Sequence, residues 1–283
     1  MYFRSDMAKE VHDRFMKQYA KEHKGEPDGI RFDRRVRGGF EVSRVTVTNE
    51  NGAALLGRPV GTYVTLSVGR LWQSSEDELE RAADLTADVL ASVGVGGKVL
   101  VVGLGNDRVT ADAVGPCAAR HVVATHHVKN RAPLGDAAVV IPGVLGQTGI
   151  GASSLIRAAA DEVEPDTVVV IDALAAGSVG TLGVTVQITD TGIRPGSGVG
   201  NDRGELSSAV LGVPTVAIGV PTVADAAIFL PDGAPQSSVE ALHGMYVCPK
   251  DCDAIVAALG RMTGYAVNRV CHPSLPYREM GYI

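Results

Sequence analysis

The chain has 283 residues, of which 45% are hydrophobic and 20% charged. These are the proportions of a folded globular protein with a sizeable core, and they exclude a disordered, collagenous or coiled-coil chain. The net charge is −6, and because residues 1–40 carry ten Lys/Arg against seven Asp/Glu, the body beyond them is acidic, which argues against general nucleic-acid binding.

Residues 1–40 are polar, and KQYAKEHKGEPDG reads as a surface-laid arm. Ser43–Thr48 alternates with period two and Thr62–Val68 is rich in β-branched residues, so the two predict an antiparallel strand pair within residues 43–70. Ser75 stands three residues before Glu78 in capping-box spacing, and Leu79, Ala82, Ala83, Thr86, Val89 and Leu90 then repeat at helical intervals up to Gly94. Beyond this helix, apolar strands and amphipathic stretches alternate: Val99–Leu104, Ala111–Thr125, Ala137–Ile141, Ala152–Glu162 and Thr167–Asp172. The alternation predicts βαβ units, hence an α/β fold with a largely parallel sheet covered on both faces. Val184–Ile188 and Pro214–Ile218 read as further strands and Cys252–Val270 as a closing helix. No linker interrupts the pattern, so residues 7–283 are expected to form one α/β domain, with residues 7–42 as its N-terminal arm.

No apolar run reaches the length of a membrane span, and the N-terminus lacks the apolar core of a signal peptide. Four scattered cysteines (Cys117, Cys248, Cys252 and Cys271) make no disulfide framework. A cytoplasmic protein with no membrane partner is expected.

In an open parallel sheet, ligands gather beyond the carboxyl ends of the strands, where loops diverge and helix N-termini converge. Two acids fall there. In VLVVGLGNDRVTADAVGP the strand ends near Gly103, a loop crosses to Thr110 as N-cap of the next helix, and Asp112 occupies its first turn. In TVVVIDALAAGS, Asp172 follows the β-branched run Thr167–Ile171 at a strand's end, where an acid is costly to bury unless it is paired or hydrogen-bonded. If the two strands are neighbours, the carboxylates meet around one water. Two carboxylates so close do not both ionise readily, which leaves one as base to activate water and the other as acid for the leaving group, the equipment of a hydrolase. Each acid also has a purely structural reading, Asp112 as a helix-start acid favoured by the macrodipole and Asp172 as the cap of a loop, and spacing by itself does not choose.

The remaining motifs point elsewhere. GLGNDR has the first two glycines of a dinucleotide loop but Arg108 where the third belongs. Neither GxSxG nor HExxH occurs, which excludes a lipase-type serine elbow and a zincin helix. Asp190-Thr191-Gly192 matches the signature of pepsin-like and retroviral proteases, but it occurs once and inside an α/β pattern, so it reads as a decoy. The segment Ile193–Gly200 after it is a flexible site loop or a succession of turns. Cys248, Cys252, Cys271 and His272 make a strained zinc set, and buried cysteines packing a helix are the better reading.

Taken together, VVGLGNDRVTADAVGP, PGVLGQTGI, VVVIDALAAGSV, VQITDTGIRPGSGVGNDRGELS, LGVPTVAIGVPTVADA and MYVCPKDCDAIVAALGRMTGYAVN, in this order over about residues 99–270, resemble the germination protease family of spore-forming bacteria. The resemblance implies an atypical aspartic endopeptidase that degrades the small acid-soluble proteins coating spore DNA. It further implies a three-layer αβα fold similar to that of hydrogenase-maturation proteases, no cofactor or metal, a homotetramer, and a place in the cytoplasm of the forespore or spore core. The family's two catalytic aspartates map onto Asp112 and Asp172, and Asn106 and Asp225 lie in matching blocks as residues lining the site. Family members are zymogens that remove a short N-terminal segment after an acidic residue. Arg4-Ser5-Asp6-Met7-Ala8 matches such a site, so autocleavage between Asp6 and Met7 is expected, with residues 1–6 as the propeptide. Two departures stand out: Ala111 replaces the usual Pro before the catalytic Asp, and residues 230–244 are far shorter than the corresponding family region. The same fold also admits a non-catalytic peptide-binding protein, or a metal-dependent relative of the maturation proteases with Asp112 and Asp172 as ligands.

Overall fold

Nine strands form one mixed sheet in the computed structural model, which describes residues 5–23, 25–128, 134–194, 204–231, 233–242 and 244–280. The strands are β1 (Ile30–Arg37), β2 (Phe40–Val47), β3 (Gly61–Ser67), β4 (Val99–Gly103), β5 (Ala137–Val140), β6 (Thr167–Ala176), β7 (Thr185–Thr189), β8 (Thr215–Asp225) and β9 (Tyr246–Val247). Their order is β1-β2-β3-β7-β8-β6-β4-β5, with β9 beside β8. Strands β5, β4, β6 and β8 run parallel, as the strand–helix alternation predicts, while β1, β2, β3 and β7 join antiparallel to make the other half of the sheet. The helices are α1 (Ala8–Glu22), α2 (Glu50–Leu56), α3 (Glu76–Ser92), α4 (Val114–Arg120), α5 (Leu145–Thr148), α6 (Ala152–Val163), α7 (Ser208–Leu211), α8 (Gln236–Leu242), α9 (Cys252–Cys271) and α10 (Tyr277–Met280). Among the described residues no helix is long and apolar enough to cross a membrane.

The three-layer αβα arrangement follows from the two-residue period of the strands. On one face Val169 and Ile171 of β6 and Ile218 of β8 pack under α3, α4 and α9, with Leu79, Leu90, Val114, Leu259 and Met262 in the same core. On the other face Leu100 and Val102 of β4 and Val168 and Val170 of β6 pack under Ile156, Ala160 and Val163 of α6. That second face continues across the sheet, because Val45, Tyr63, Thr189, Ala217, Val170 and Val102 stand in one row on six successive strands. Its far end is covered by Ala8 of α1 and Leu56 of α2, packed on Ile30, Val45, Val47 and Tyr63. Between the two covers, over β7, β8 and the end of β6, the sheet is open to a cleft.

Two elements differ from the sequence reading for identifiable reasons. The polar N-terminal stretch is not a surface arm alone but holds α1 and the edge strand β1, joined to β2 by Gly38-Gly39, whose φ values of 59° and 88° match a two-residue hairpin turn. Its charged residues hide the strand signal because an edge strand faces solvent. Residues 111–125 are not one helix either: a 3₁₀ turn, Thr110–Asp112, precedes a short α4, so Asp112 lies before the helix.

Helix α9 ends on a buried imidazole. His272 is fully enclosed and its Nε2–H donates to Val123 O at 2.8 Å. Burial pulls its pKa below the ordinary histidine value. The unfolded chain therefore binds the extra proton first, and the stability His272 contributes is complete above about pH 6.5 and is lost as the pH falls from there through the folded value. Urea titrations between neutral and mildly acidic pH should show a steeper loss of midpoint for the wild type than for His272→Gln. Parallel curves would contradict this.

Candidate active site

Strands β4 and β6 are parallel neighbours, with Gly103 opposite Ile171, and Leu104 N–H extends the ladder to Ile171 O at 2.8 Å. Asp112 thus lies in the turn that follows β4, while Asp172 stands within β6, which does not end there as its β-branched run predicts but continues to Ala176 because β8 pairs with it over that length. The loop after β4 folds back tightly on itself. Gly105 has φ +122°, and a Cβ there would fall 1.9 Å from Asp112 O, so the return demands glycine. The main-chain N–H of Asn106 donates to Asp112 Oδ2 at 2.8 Å, and Asp112 N–H closes the 3₁₀ turn onto Val109 O at 2.8 Å. Thr222 of β8 donates its hydroxyl to Ala111 O, tying this loop to a third strand.

Asp172 is buried, 4% exposed, and its Oδ1 accepts the N–H of Ala173 at 2.9 Å. It is opposite Gly219 of β8, which is in turn opposite Gln187 of β7, so Asp172 and Gln187 project from the same face in one row with a glycine between them. Leu174 lies over Gly219, where a Cβ would meet its Cδ1 at 2.2 Å. Asp112 and Asp172 both line the cleft, which holds about 740 Å³ and is walled by Arg58, Tyr63, Val109, Ala173–Ala175, Gln187 and Thr191.

The chain's own N-terminal segment enters this cleft. Asp6 is among the lining residues and Met7 is fully buried. Asp6 N–H donates to Ala175 O at 3.0 Å, and Asp6 Oδ2 accepts Ala175 N–H at 2.9 Å. Gln187 contacts Asp6 O and Ala8 N–H, Arg58 donates to Ser5 O, and Glu10 accepts from Ser5 Oγ, Thr181 Oγ1 and Gly177 N–H. Residues 1–4 of the candidate propeptide, Arg4 included, and residues 195–200 of the glycine-rich segment lie outside the described residues.

Asn106, Asp190 and Asp225 are not among the residues that wall the cleft. Asn106 acts on Asp112 through its main chain, while its side-chain Oδ1 accepts from Arg108 N–H at 3.0 Å and Gln147 Nε2 at 2.7 Å. Asp225 caps the 3₁₀ turn Ala226–Phe229 by accepting Ala227 N–H at 2.9 Å. Asp190 accepts Thr62 N–H at 2.8 Å and so fastens β7 to β3, a structural use for the Asp-Thr-Gly triplet. Burial pushes the thiols of Cys252 and Cys271 up to about 12, with Cys248 adding to the shift of Cys252, as expected for cysteines packed as small apolar groups. His126 stands in a 3₁₀ turn with Nδ1 2.7 Å from Asp136 Oδ1. Gln187 and Arg58 were not singled out from sequence. Gln187 sits at an alternating polar position of TVQIT, which reads as a solvent face until the N-terminal segment is laid over it.

A family model described as Germination protease matches residues 6–234. The chain belongs to the germination protease family. Among relatives named Germination protease, one from Caldanaerobacter subterraneus subsp. tengcongensis is 34% identical over 87% of this chain and 89% of its own. One from Clostridium acetobutylicum is 37% identical over 98% of this chain and 97% of its own. One from Bacillus subtilis (strain 168) is 38% identical over 81% of this chain and 65% of its own. Membership makes the protein a peptidase.

Proposed function

We propose that this germination protease family member is an endopeptidase of the atypical aspartic type, in which Asp112 and Asp172 together activate water. A single observation carries the reading: Asp172 of β6 and Asp112 of the turn that follows the neighbouring parallel strand β4 line one cleft, and an extended segment of the chain with an acid at Asp6 is bound in that same cleft. One deprotonated carboxylate takes a proton from water as it adds to the scissile carbonyl, and the protonated partner gives its proton to the departing nitrogen; the pair shares these roles through one proton. Its substrates are small acid-soluble spore proteins, met in the cytoplasm of the forespore or spore core, and its assembly is a homotetramer.

The chain is a zymogen that cuts itself between Asp6 and Met7. Asp6 makes one main-chain bond to Ala175 O near the end of β6 and accepts Ala175 N–H on its carboxylate, a side-chain variant of the strand-addition mode by which proteases and other domains take extended peptides. Intact-mass measurement after mild acidification should show the loss of residues 1–6, with Met7 as the new N-terminus; an unchanged mass under activating conditions would overturn self-processing. Incubation with a small acid-soluble spore protein, with and without a chelator, separates the alternatives. Cleavage insensitive to chelation supports the aspartic reading, chelator-sensitive cleavage points to a metal-dependent enzyme, and binding without cleavage to a peptide-binding protein.

A further inference from the structure

One side chain holds the main chain on both sides of the Asp6–Met7 bond. Gln187 Nε2 donates to the carbonyl oxygen of Asp6 at 3.2 Å, and its Oε1 accepts the N–H of Ala8 at 2.6 Å. A carboxamide has one donor end and one acceptor end; the backbone N–H only donates and the carbonyl only accepts, so the two contacts fix its orientation. Gln187 is 6% exposed and shares its row with Asp172 across Gly219. At the usual strand spacing the two α-carbons are roughly 10 Å apart on one face, which leaves room for a peptide group and a water between amide and carboxylate.

Helix capping accounts for half of this arrangement. Ala8 is the first residue of α1, and Met7 supplies no side-chain cap, so Gln187 Oε1 serves an otherwise orphaned N–H. Capping does not account for the Nε2 contact, which falls on the oxygen that gains charge when water adds to the Asp6 carbonyl.

We propose that Gln187 is a catalytic residue of this site, the amide donor that holds the scissile carbonyl oxygen. The inference rests on the proposed hydrolysis of Asp6–Met7 by Asp112 and Asp172. Water oxygen bonds to the carbonyl carbon, its proton passes to the deprotonated carboxylate, and the carbonyl electron pair moves onto the oxygen facing Gln187 Nε2–H. Collapse restores the C=O bond and breaks the C–N bond, and the Met7 nitrogen takes the proton of the second carboxyl, leaving a new carboxyl terminus at Asp6 and a new amino terminus at Met7. A preorganised side-chain amide aimed at a developing oxyanion contributes on the order of 10²–10³-fold. The same amide reads the N–H two residues beyond the cut bond, so peptides with proline there are poor substrates.

The test follows the loss of residues 1–6 by intact mass in the full-length wild type and in Gln187→Glu, Ala8→Pro and Asp172→Asn. Gln187→Glu keeps the acceptor for Ala8 N–H and nearly the same volume but removes the donor; processing should slow by about 10²-fold or more under conditions where a parallel thermal melt shows the variant still folded. The deficit relative to wild type should narrow as the pH falls into the carboxyl range, where the introduced group regains a donor proton. Ala8→Pro suits the first position of α1, and Met7 already has the extended conformation (ψ 112°) that a following proline requires, so the fold is kept while the N–H is lost and processing slows. On the processed enzyme, a synthetic peptide of residues 1–12 should show the Gln187→Glu effect in kcat rather than KM. If Gln187→Glu processes within about threefold of wild type while Asp172→Asn is inert, the role of Gln187 is wrong and the aspartate reading stands. If wild type and Asp172→Asn behave alike, both fall together.

Discussion

Asp112→Asn and Asp172→Asn should each leave the chain folded and unable to cut itself, slowed by on the order of 10²–10⁴-fold relative to wild type. Asparagine has nearly the same shape and retains an acceptor oxygen. The bonds from Asn106 N–H to residue 112 and from Ala173 N–H to residue 172 therefore survive the change. What is lost is the capacity to take or give a proton, which is the only property the proposed chemistry asks of these two groups. The readout is intact mass under acid activation, paired with a thermal melt that should match the wild type. Asp190→Asn is the control, since its amide oxygen still accepts Thr62 N–H and processing should proceed normally. Retained processing in either cleft variant would reject this pair of aspartates.

The second large effect is structural and reaches the site through a glycine. Helix α4 crosses the sheet so closely that a Cβ on Gly115 would sit 2.2 Å from Leu104 O, 2.4 Å from Ile171 O and 2.7 Å from Leu104 N. All three are backbone atoms of the paired strand ends that carry the two aspartates, so no side chain is free to swing aside. Gly115→Ala must push α4 away from β4 and β6, at a cost of about 3 kcal/mol or more. For a chain of this size that lowers the melting temperature by roughly 6–12 °C, and self-processing should fail with it because the loop bearing Asp112 moves. Gly146→Ala, where a Cβ meets nothing within 4 Å, should leave both properties unchanged. A melting temperature for Gly115→Ala within about 2 °C of wild type would contradict the close packing.

Much of the parallel half of the sheet was readable from local pattern. The Ser75 cap is present, its hydroxyl accepting Glu78 N–H at 3.3 Å, and α3 follows it to Ser92. Strands β4, β5 and β6 begin where their β-branched runs begin, because a strand buried on both faces is written as a continuous apolar run. The acids that follow the apolar runs of β4 and β6 were legible for the same reason: a carboxylate beside such a run is costly to bury unless it is paired or hydrogen-bonded. The antiparallel half was less legible. β1 is an exposed, arginine-rich edge, and β6 continues four residues past Asp172 through Ala173–Ala176, which have weak strand preference and are held there by β8, with a bulge at Leu174/Ala175.

The amino-acid sequence by itself determined where α3 and strands β4, β5 and β6 start, which two acids follow apolar strand runs, and, through its ordered blocks, the family to which the chain belongs. Those features depend on neighbours within a few residues and on periodicities of two and 3.6. Only the tertiary structure decided that β4 lies beside β6, that Gln187 shares a row with Asp172, and that Ser5–Ala8 runs across both. Residues 8 and 187 are brought together by burying apolar surface over a chain separation of 179 residues, a choice made by packing that no local preference records.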